Sequence, residues 1–170
     1  MEKSFSSLLH DSFLKTIEGN VQRFYPSVMN ISPCTGCNGC RESGGCVIDD
    51  GMQLVYPPLK NAELITISYP IYFTGLPSPL KSLVDRCHAL WKRNASLPAA
   101  FRTRRAILFA CGGSAYPGMF RPSLTVLKHF LGTLSVNIDF EQSLFYCNTD
   151  SDPKKITVFP DLTDTIDGHY

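Results

Sequence analysis

Two short apolar runs, each followed by a turn-rich loop and then by a helical pattern, constrain this chain more than any other feature of its sequence. Leu64-Ile65-Thr66-Ile67-Ser68 and Ala106-Ile107-Leu108-Phe109-Ala110 have the length and the apolar, partly β-branched content of buried strands. The first leads through Tyr69-Pro70-Ile71-Tyr72-Phe73-Thr74-Gly75 to a helix with Ser78 as N-cap and Pro79 as first residue. On that helix Leu80, Leu83, Val84, Cys87, Leu90 and Trp91 recur as one core-facing stripe. The second strand stops at Cys111-Gly112-Gly113, and after Tyr116-Pro117-Gly118 a helix is expected over residues 122–131. Strand, loop, helix, repeated, predicts an α/β fold with a parallel sheet rather than a sandwich or a bundle.

Residues 5–17 place Leu8, Leu9, Phe13, Leu14 and Ile17 near helical spacing, with Gly19-Asn20 as a stop and a strand expected within residues 21–31. Asp49 or Asp50 is expected to cap a short helix that Pro57-Pro58 ends. Residues 136–140 and 144–147 look extended, and the tail over 151–170, with Pro153 and Pro160, reads as irregular. At 170 residues the chain suits a single domain spanning 1–170.

Composition excludes several classes. With 44% hydrophobic and 18% charged residues the chain is neither disordered nor membrane-embedded in character. A net charge of +1 provides no field for a polyanion, so nucleic acid is not an expected partner. No apolar stretch approaches the roughly 18 residues of a spanning helix, and no secretory leader is visible, so a cytoplasmic protein without membrane contact is expected. In a reducing compartment seven cysteines, an odd number, are not a disulfide framework. Cys87, on the helix stripe, and Cys111 and Cys147, at strand ends, read as small core hydrophobes.

The other four are the sharpest chemical signal. Cys34, Cys37, Cys40 and Cys46 form C-x2-C-x2-C-x5-C in one loop, residues 33–47, interleaved with Gly36, Gly39, Gly44 and Gly45. Thiolates at successive intervals of three let one loop wrap a cluster, and the glycines permit the turns this needs. Structural zinc more often uses two separated C-x2-C knuckles, so the pattern favours a 4Fe-4S cluster, with zinc and a loop that binds nothing as the alternatives.

Pro33-Cys34-Thr35-Gly36-Cys37-Asn38-Gly39-Cys40, with Gly45-Cys46-Val47-Ile48-Asp49-Asp50-Gly51-Met52, resembles the iron–sulfur flavoprotein branch of the NAD(P)H-dependent FMN reductase family. Ser68 to Phe73 resembles that family's S-P-x-Y-F loop, and Leu80-Lys81-Ser82-Leu83-Val84-Asp85-Arg86 its L-K-x-x-x-D-R helix. Gly112-Gly113 with Pro117-Gly118-Met119-Phe120 is similar to its second flavin loop.

The resemblance implies a flavodoxin-like three-layer fold with FMN at the carboxyl ends of the strands. It implies that Ser4 and Ser6 meet the FMN phosphate at a helix N-terminus. Pro70, Ile71, Tyr72, Phe73, Gly112, Gly113 and Tyr116 would line its ring. The chain departs from the family at both ends. Only Met1-Glu2-Lys3 precede Ser4 where the family has its first strand, and the family's last helix is not visible after Asp150.

The function implied is an oxidoreductase or electron-transfer flavoprotein passing electrons between FMN and a 4Fe-4S cluster. NAD(P)H or a small redox protein would be its partner, and the protein would be a homo-oligomer. An NAD(P)H:FMN or quinone reductase without a cluster, and a metal- or cluster-binding module that has lost flavin, remain as alternatives. No catalytic acid or base is assigned, because His10, His88, His129 and His169 stand in no motif. Arg102, Arg104 and Arg105 are candidates for a nucleotide phosphate or, more simply, a solvated cluster.

Overall fold

A computed structural model describes residues 4–94, 104–150 and 157–158. In chain order its elements are α1 (Phe5–Leu14), α2 (Gly39–Ser43), a 3-10 turn (Gly51–Leu54), α3 (Tyr56–Asn61), β1 (Leu64–Pro70), α4 (Ser78–Arg86), α5 (His88–Asn94), β2 (Arg104–Cys111), α6 (Arg121–Thr133), β3 (Val136–Ile138), β4 (Leu144–Cys147) and β5 (Thr157–Val158).

β2 is central. β1 runs parallel along one edge of it, from Leu64 opposite Arg105 to Pro70 opposite Cys111. Its other edge is shared by two parallel pieces, β3 opposite Arg104–Ala106 and β4 opposite Phe109–Cys111. In the gap between them the Ser143 hydroxyl accepts the Leu108 N–H at 3.0 Å, so the buried amide keeps a partner where the ladder breaks. β5 adds antiparallel to β4.

Alternation along the strands divides the side chains between two layers. Ile65, Tyr69, Ala106, Leu108, Ala110 and Phe145 join Leu83, Val84 and Leu90 of α4–α5 and Leu124, Leu127, Phe130 and Leu131 of α6 in the main core. Each of the fully buried large side chains there contributes about 1.5–3 kcal/mol. The opposite face is covered by α1, whose Phe13 and His10 rings lie 5.2 and 5.4 Å from that of Phe109. Phe5 meets Tyr146 edge-on at 5.5 Å. His10 Nε2 and Thr66 Oγ1 are 2.6 Å apart, and Ser68 Oγ donates to Ser6 O at 2.8 Å, which pins the start of α1 beside the end of β1. No helix among the described residues is long and apolar enough to cross a membrane.

Four expectations need correction. The strand within 21–31 does not form. Pro26 removes a ladder donor, and Tyr25 O accepts the N–H groups of Val28 and Met29 in a turn. Val21, Tyr25 and Val28 face solvent while Phe24, Met29 and Ile31 pack on the core, so the pattern is not alternating. Pro57-Pro58 opens α3 rather than ending a helix, because the first turn of a helix has no use for the missing N–H groups. The stripe from Leu80 to Trp91 belongs to two helices, broken at Cys87, with Pro77 rather than Ser78 in the cap position and Trp91 turned outward. The tail expected to be irregular contributes β5, and its other residues from 151 onward lie outside the described residues.

Candidate functional site

The carboxyl ends of β1, β2 and β4 lie side by side. Ile71 N–H donates to Cys111 O at 2.7 Å and Gly112 N–H to Tyr146 O at 2.8 Å, so the two loops leaving β1 and β2 start in register. The N-terminus of α1 joins them through Ser6 and Ser68.

At that helix start three hydroxyls cluster. Ser4 caps α1 by accepting the Ser7 N–H at 3.3 Å, and its Oγ lies 2.8 Å from that of Ser7 and 3.3 Å from that of Ser6. Ser4 is exposed whereas Ser6 is buried. Ser7 was missed from the sequence, although a hydroxyl three residues after an N-cap is the position that shares its first turn. Helix geometry leaves the first amides of α1 without intrahelical partners, which suits an anion.

The loop after β1 closes in a tight turn. Tyr72 N–H donates to Gly75 O at 3.2 Å and Gly75 N–H to Tyr72 O at 2.9 Å, while Phe73 and Thr74 both take positive φ, 48° and 63°. This is type I′ geometry without glycine at either central position, and it costs roughly 1–3 kcal/mol per residue. Its result is to lift Phe73 wholly into solvent, with Tyr72 61% exposed beside it. Pro70 ends β1, and Ile71 packs partly on the core. Across the edge, Gly112 and Gly113 are held by close approach. A Cβ on Gly112 would lie 2.0 Å from Met119 Cε, and one on Gly113 2.0 Å from Asp150 Oδ2. Tyr116 stands in the same loop, exposed. Thus Ser4, Ser6, Pro70, Ile71, Tyr72, Phe73, Gly112, Gly113 and Tyr116 lie at the carboxyl end of the sheet. Hydroxyls and helix amides at one end, with exposed aromatic rings and a side-chain-free loop at the other, fit the phosphate and the flat ring of FMN.

The cysteine loop lies beside α4. Cys34 and Cys37 are exposed, Cys40, in α2, and Cys46 are half-buried, and all four are free thiols. Asn38 takes a left-handed conformation, φ 61°, to start α2. The Gly39 backbone N–H, then the Thr35 hydroxyl, hold the Cys37 thiol below its ordinary pKa. Among the described residues no three His, Cys, Asp or Glu side chains gather closely enough to hold a metal ion. The donor chemistry itself fits a thiolate-bound cluster, with four unpaired thiols on one loop of 13 residues.

One buried side chain organises this loop. Arg86, 1% exposed, donates from Nε to Cys46 Sγ at 3.2 Å and from its two terminal nitrogens to Asp50 Oδ2 and Oδ1 at 2.7 and 3.1 Å. It also donates to Ser32 O at 2.9 Å and Ile48 O at 3.1 Å. Asp50 accepts in addition from the Ser32 and Met52 N–H groups. Sequence reasoning treated Asp50 as a cap, which it is, but gave Arg86 no role.

The remaining candidates lie elsewhere. Arg104 is buried and donates to Ala62 O, Leu134 O and Leu59 O, and Arg105 pairs with Asp139. Both sit at the start of β2, the end opposite the site; Arg105 is exposed, as in a solvated cluster, and only the buried Arg104 departs from that reading. Arg102 and His169 fall outside the described residues. Cys87, Cys111 and Cys147 are buried, as small hydrophobes are. An open groove of about 460 Å³ between α4–α5 and α6 includes none of the site residues.

Comparison with known proteins bears on the family and the fold. Three relatives illustrate the range. An iron-sulfur flavoprotein of Methanosarcina thermophila is 33% identical over 88 residues, 52% of this chain and 44% of that one. An iron-sulfur flavoprotein of Methanocaldococcus jannaschii is 32% identical over 121 residues, 71% of this chain and 60% of that one. An FMN-dependent NADH:quinone oxidoreductase of Streptomyces coelicolor is 29% identical over 87 residues, 48% of this chain and 40% of that one. The chain therefore spans less than two thirds of the length of each. Among solved structures, an FMN-dependent NADH-azoreductase from Bacillus anthracis in complex with FMN superposes with a TM-score of 0.60 at 17% identity, over 89% of this chain and 84% of that one. This likeness establishes the flavodoxin-like fold. The profile described as NADPH-dependent FMN reductase matches residues 1–142, and the chain belongs to that family.

Proposed function

We propose that this chain is an FMN-dependent oxidoreductase that passes electrons between FMN and a 4Fe-4S cluster held by Cys34, Cys37, Cys40 and Cys46. The observation that carries the reading is the convergence at the carboxyl end of the sheet of the α1 hydroxyls, the Tyr72–Gly75 turn and the Gly112-Gly113 loop, with the cysteine loop tied to the other end of α4. Flavin supplies the chemistry of exchanging two electrons with a donor and one at a time with a cluster.

The chain's own residues bind and orient. Ser4 and Ser7 offer hydroxyls to the phosphate, and Ser6 supports Ser4 from within. Tyr72 and Phe73 offer ring faces, Gly112 and Gly113 let backbone approach the ring, and Tyr116 closes the far side. No side chain is required to move a proton. NAD(P)H is the proposed donor, reaching the ring at the exposed Tyr72–Phe73 turn, and a second copy of the chain or a small redox protein would cover that turn when the donor is absent.

The test is the visible spectrum of anaerobically purified and reconstituted protein, with FMN, iron and acid-labile sulfide measured on the same sample. About four iron and four sulfide per chain together with FMN support the proposal. FMN without iron replaces it with a cluster-free reductase, and metal without FMN replaces it with a binding module.

A further inference from the structure

We propose that Arg86 is a positioning residue for the cluster, clipping both stems of the cysteine loop and setting the cluster's reduction potential through its Nε–H bond to Cys46. The inference rests on the cluster reading above. One guanidinium has every donor engaged. Arginine has five N–H donors and no acceptor. All five are used here, by Cys46 Sγ, Ser32 O, Ile48 O and the two oxygens of Asp50. Ser32 lies two residues before Cys34, and Ile48 and Asp50 lie two and four residues after Cys46. A single side chain from α4 therefore closes the loop at its base.

The same geometry aims one donor at a ligand sulfur. Asp50 takes the two terminal nitrogens as a fork and neutralises that side of the guanidinium, which leaves Nε–H as the guanidinium donor directed at Cys46. A hydrogen bond to a cluster sulfur strengthens as the cluster gains negative charge, so it favours the reduced form and raises the potential. α4 starts three residues after the Tyr72–Gly75 turn and ends at Arg86, so one helix joins the proposed flavin wall to the proposed cluster ligand.

Lysine separates the two functions of this residue. In Arg86→Lys the ammonium keeps the charge opposite Asp50, but a compact point charge cannot fork the carboxylate, span the two carbonyls and reach Cys46 together. Arg104→Lys is the matched control, since Arg104 is also buried and bonds three carbonyls but touches no cysteine. Wild type and both variants are reconstituted anaerobically. Iron and sulfide per FMN, and the cluster midpoint potential by optical titration, are then measured.

The expected result is a shift of the Arg86→Lys cluster toward its oxidised form by about tenfold, which is 59 mV lower for one electron. Iron per FMN also falls, while Arg104→Lys loses stability with its potential unmoved. If Arg86→Lys fails to fold, the paired variant Asp50→Asn, Arg86→Met removes both charges together, and the same drop in potential is expected of it. A loaded wild type whose potential and iron content are matched by the Arg86 variants overturns the assignment and leaves the cluster reading standing. A wild type that binds FMN but takes up no iron and sulfide overturns both.

Discussion

Asp50→Asn tests the buried ion pair that holds the cysteine loop to the fold. Burial alone would raise the Asp50 carboxyl. The Arg86 hydrogen bonds, then the Ser32 and Met52 N–H groups, outweigh it and hold the pKa at about 2, against 3.8 for an ordinary aspartate. Its side chain is 4% exposed and that of Arg86 0%, so solvent does little to screen the interaction. At about 1.4 kcal/mol per tenfold change in proton affinity, the ionised form stabilises the fold by about 2.5 kcal/mol.

The sign follows from the depressed folded value. This stability is fully present well above pH 4 and is lost as pH falls toward 2, with roughly 1 kcal/mol already gone at pH 3. Asparagine removes the titration and leaves the Arg86 charge buried without its counter-ion, which costs about 3–5 kcal/mol at neutral pH. The assay is urea denaturation of both proteins, followed by the fluorescence of Trp91, at pH 7 and at about pH 3. The gap between them is expected to be about 3–5 kcal/mol at pH 7 and to narrow by about 1 kcal/mol at pH 3. A gap below about 1 kcal/mol at pH 7, or one that is the same at both pH values, would refute the reasoning.

Other residues give independent checks. Gly112→Ala puts a Cβ against the buried Met119 methyl, so it should cost about 1–3 kcal/mol, read as a lower urea midpoint. Burial, then the charge of Arg23, lowers the His10 pKa below 6.5 against a smaller opposing effect of Asp11. The native state accordingly disfavours protonated His10, stability should fall as pH drops below about 6.5, and His10→Gln should flatten that slope in denaturation curves. Burial pushes the Cys87 and Cys111 thiols up to about 12, whereas Cys37 is exposed and lowered, so iodoacetamide on the folded, metal-free chain should label Cys37 first and spare the other two until unfolding, as read by peptide mass. Replacing Ser4 and Ser7 with alanine should weaken FMN more than riboflavin in fluorescence titrations, and equal losses would place the phosphate elsewhere.

What was legible in the sequence was local. The strands at Leu64–Pro70 and Arg104–Cys111 and the helix Arg121–Thr133 were visible because burial on both faces, or on one helical stripe, writes a short continuous pattern. Their loops were visible because proline and glycine punctuate the chain at the strand ends. Proline at 57 and 58 misled for the complementary reason. Its effect reverses between the first turn and the interior of a helix, and which applies depends on where the helix begins. The expected strand over 21–31 rested on apolar content alone, without the alternation a half-buried strand needs.

The centre of the cysteine loop was hidden for a different reason. Arg86 and Asp50 are separated by 36 positions, and Arg86 and Cys46 by 40, so no spacing rule connects them. Seen in sequence, Arg86 is one more charge at the end of an amphipathic helix that also carries Lys81 and Asp85, which pair with each other at the surface. The packing of α4 on the core, with Arg86 one turn after the buried Leu83, turns its guanidinium inward. A charge so fully buried is costly unless every donor is satisfied, and here each of the five finds an acceptor on the segments that bracket the cysteines. That cost is the strongest argument for a function in this network. A loop that only had to close could do so with apolar contacts at similar or greater stability, whereas a loop that must hold a sulfur at a set distance from a fixed N–H cannot.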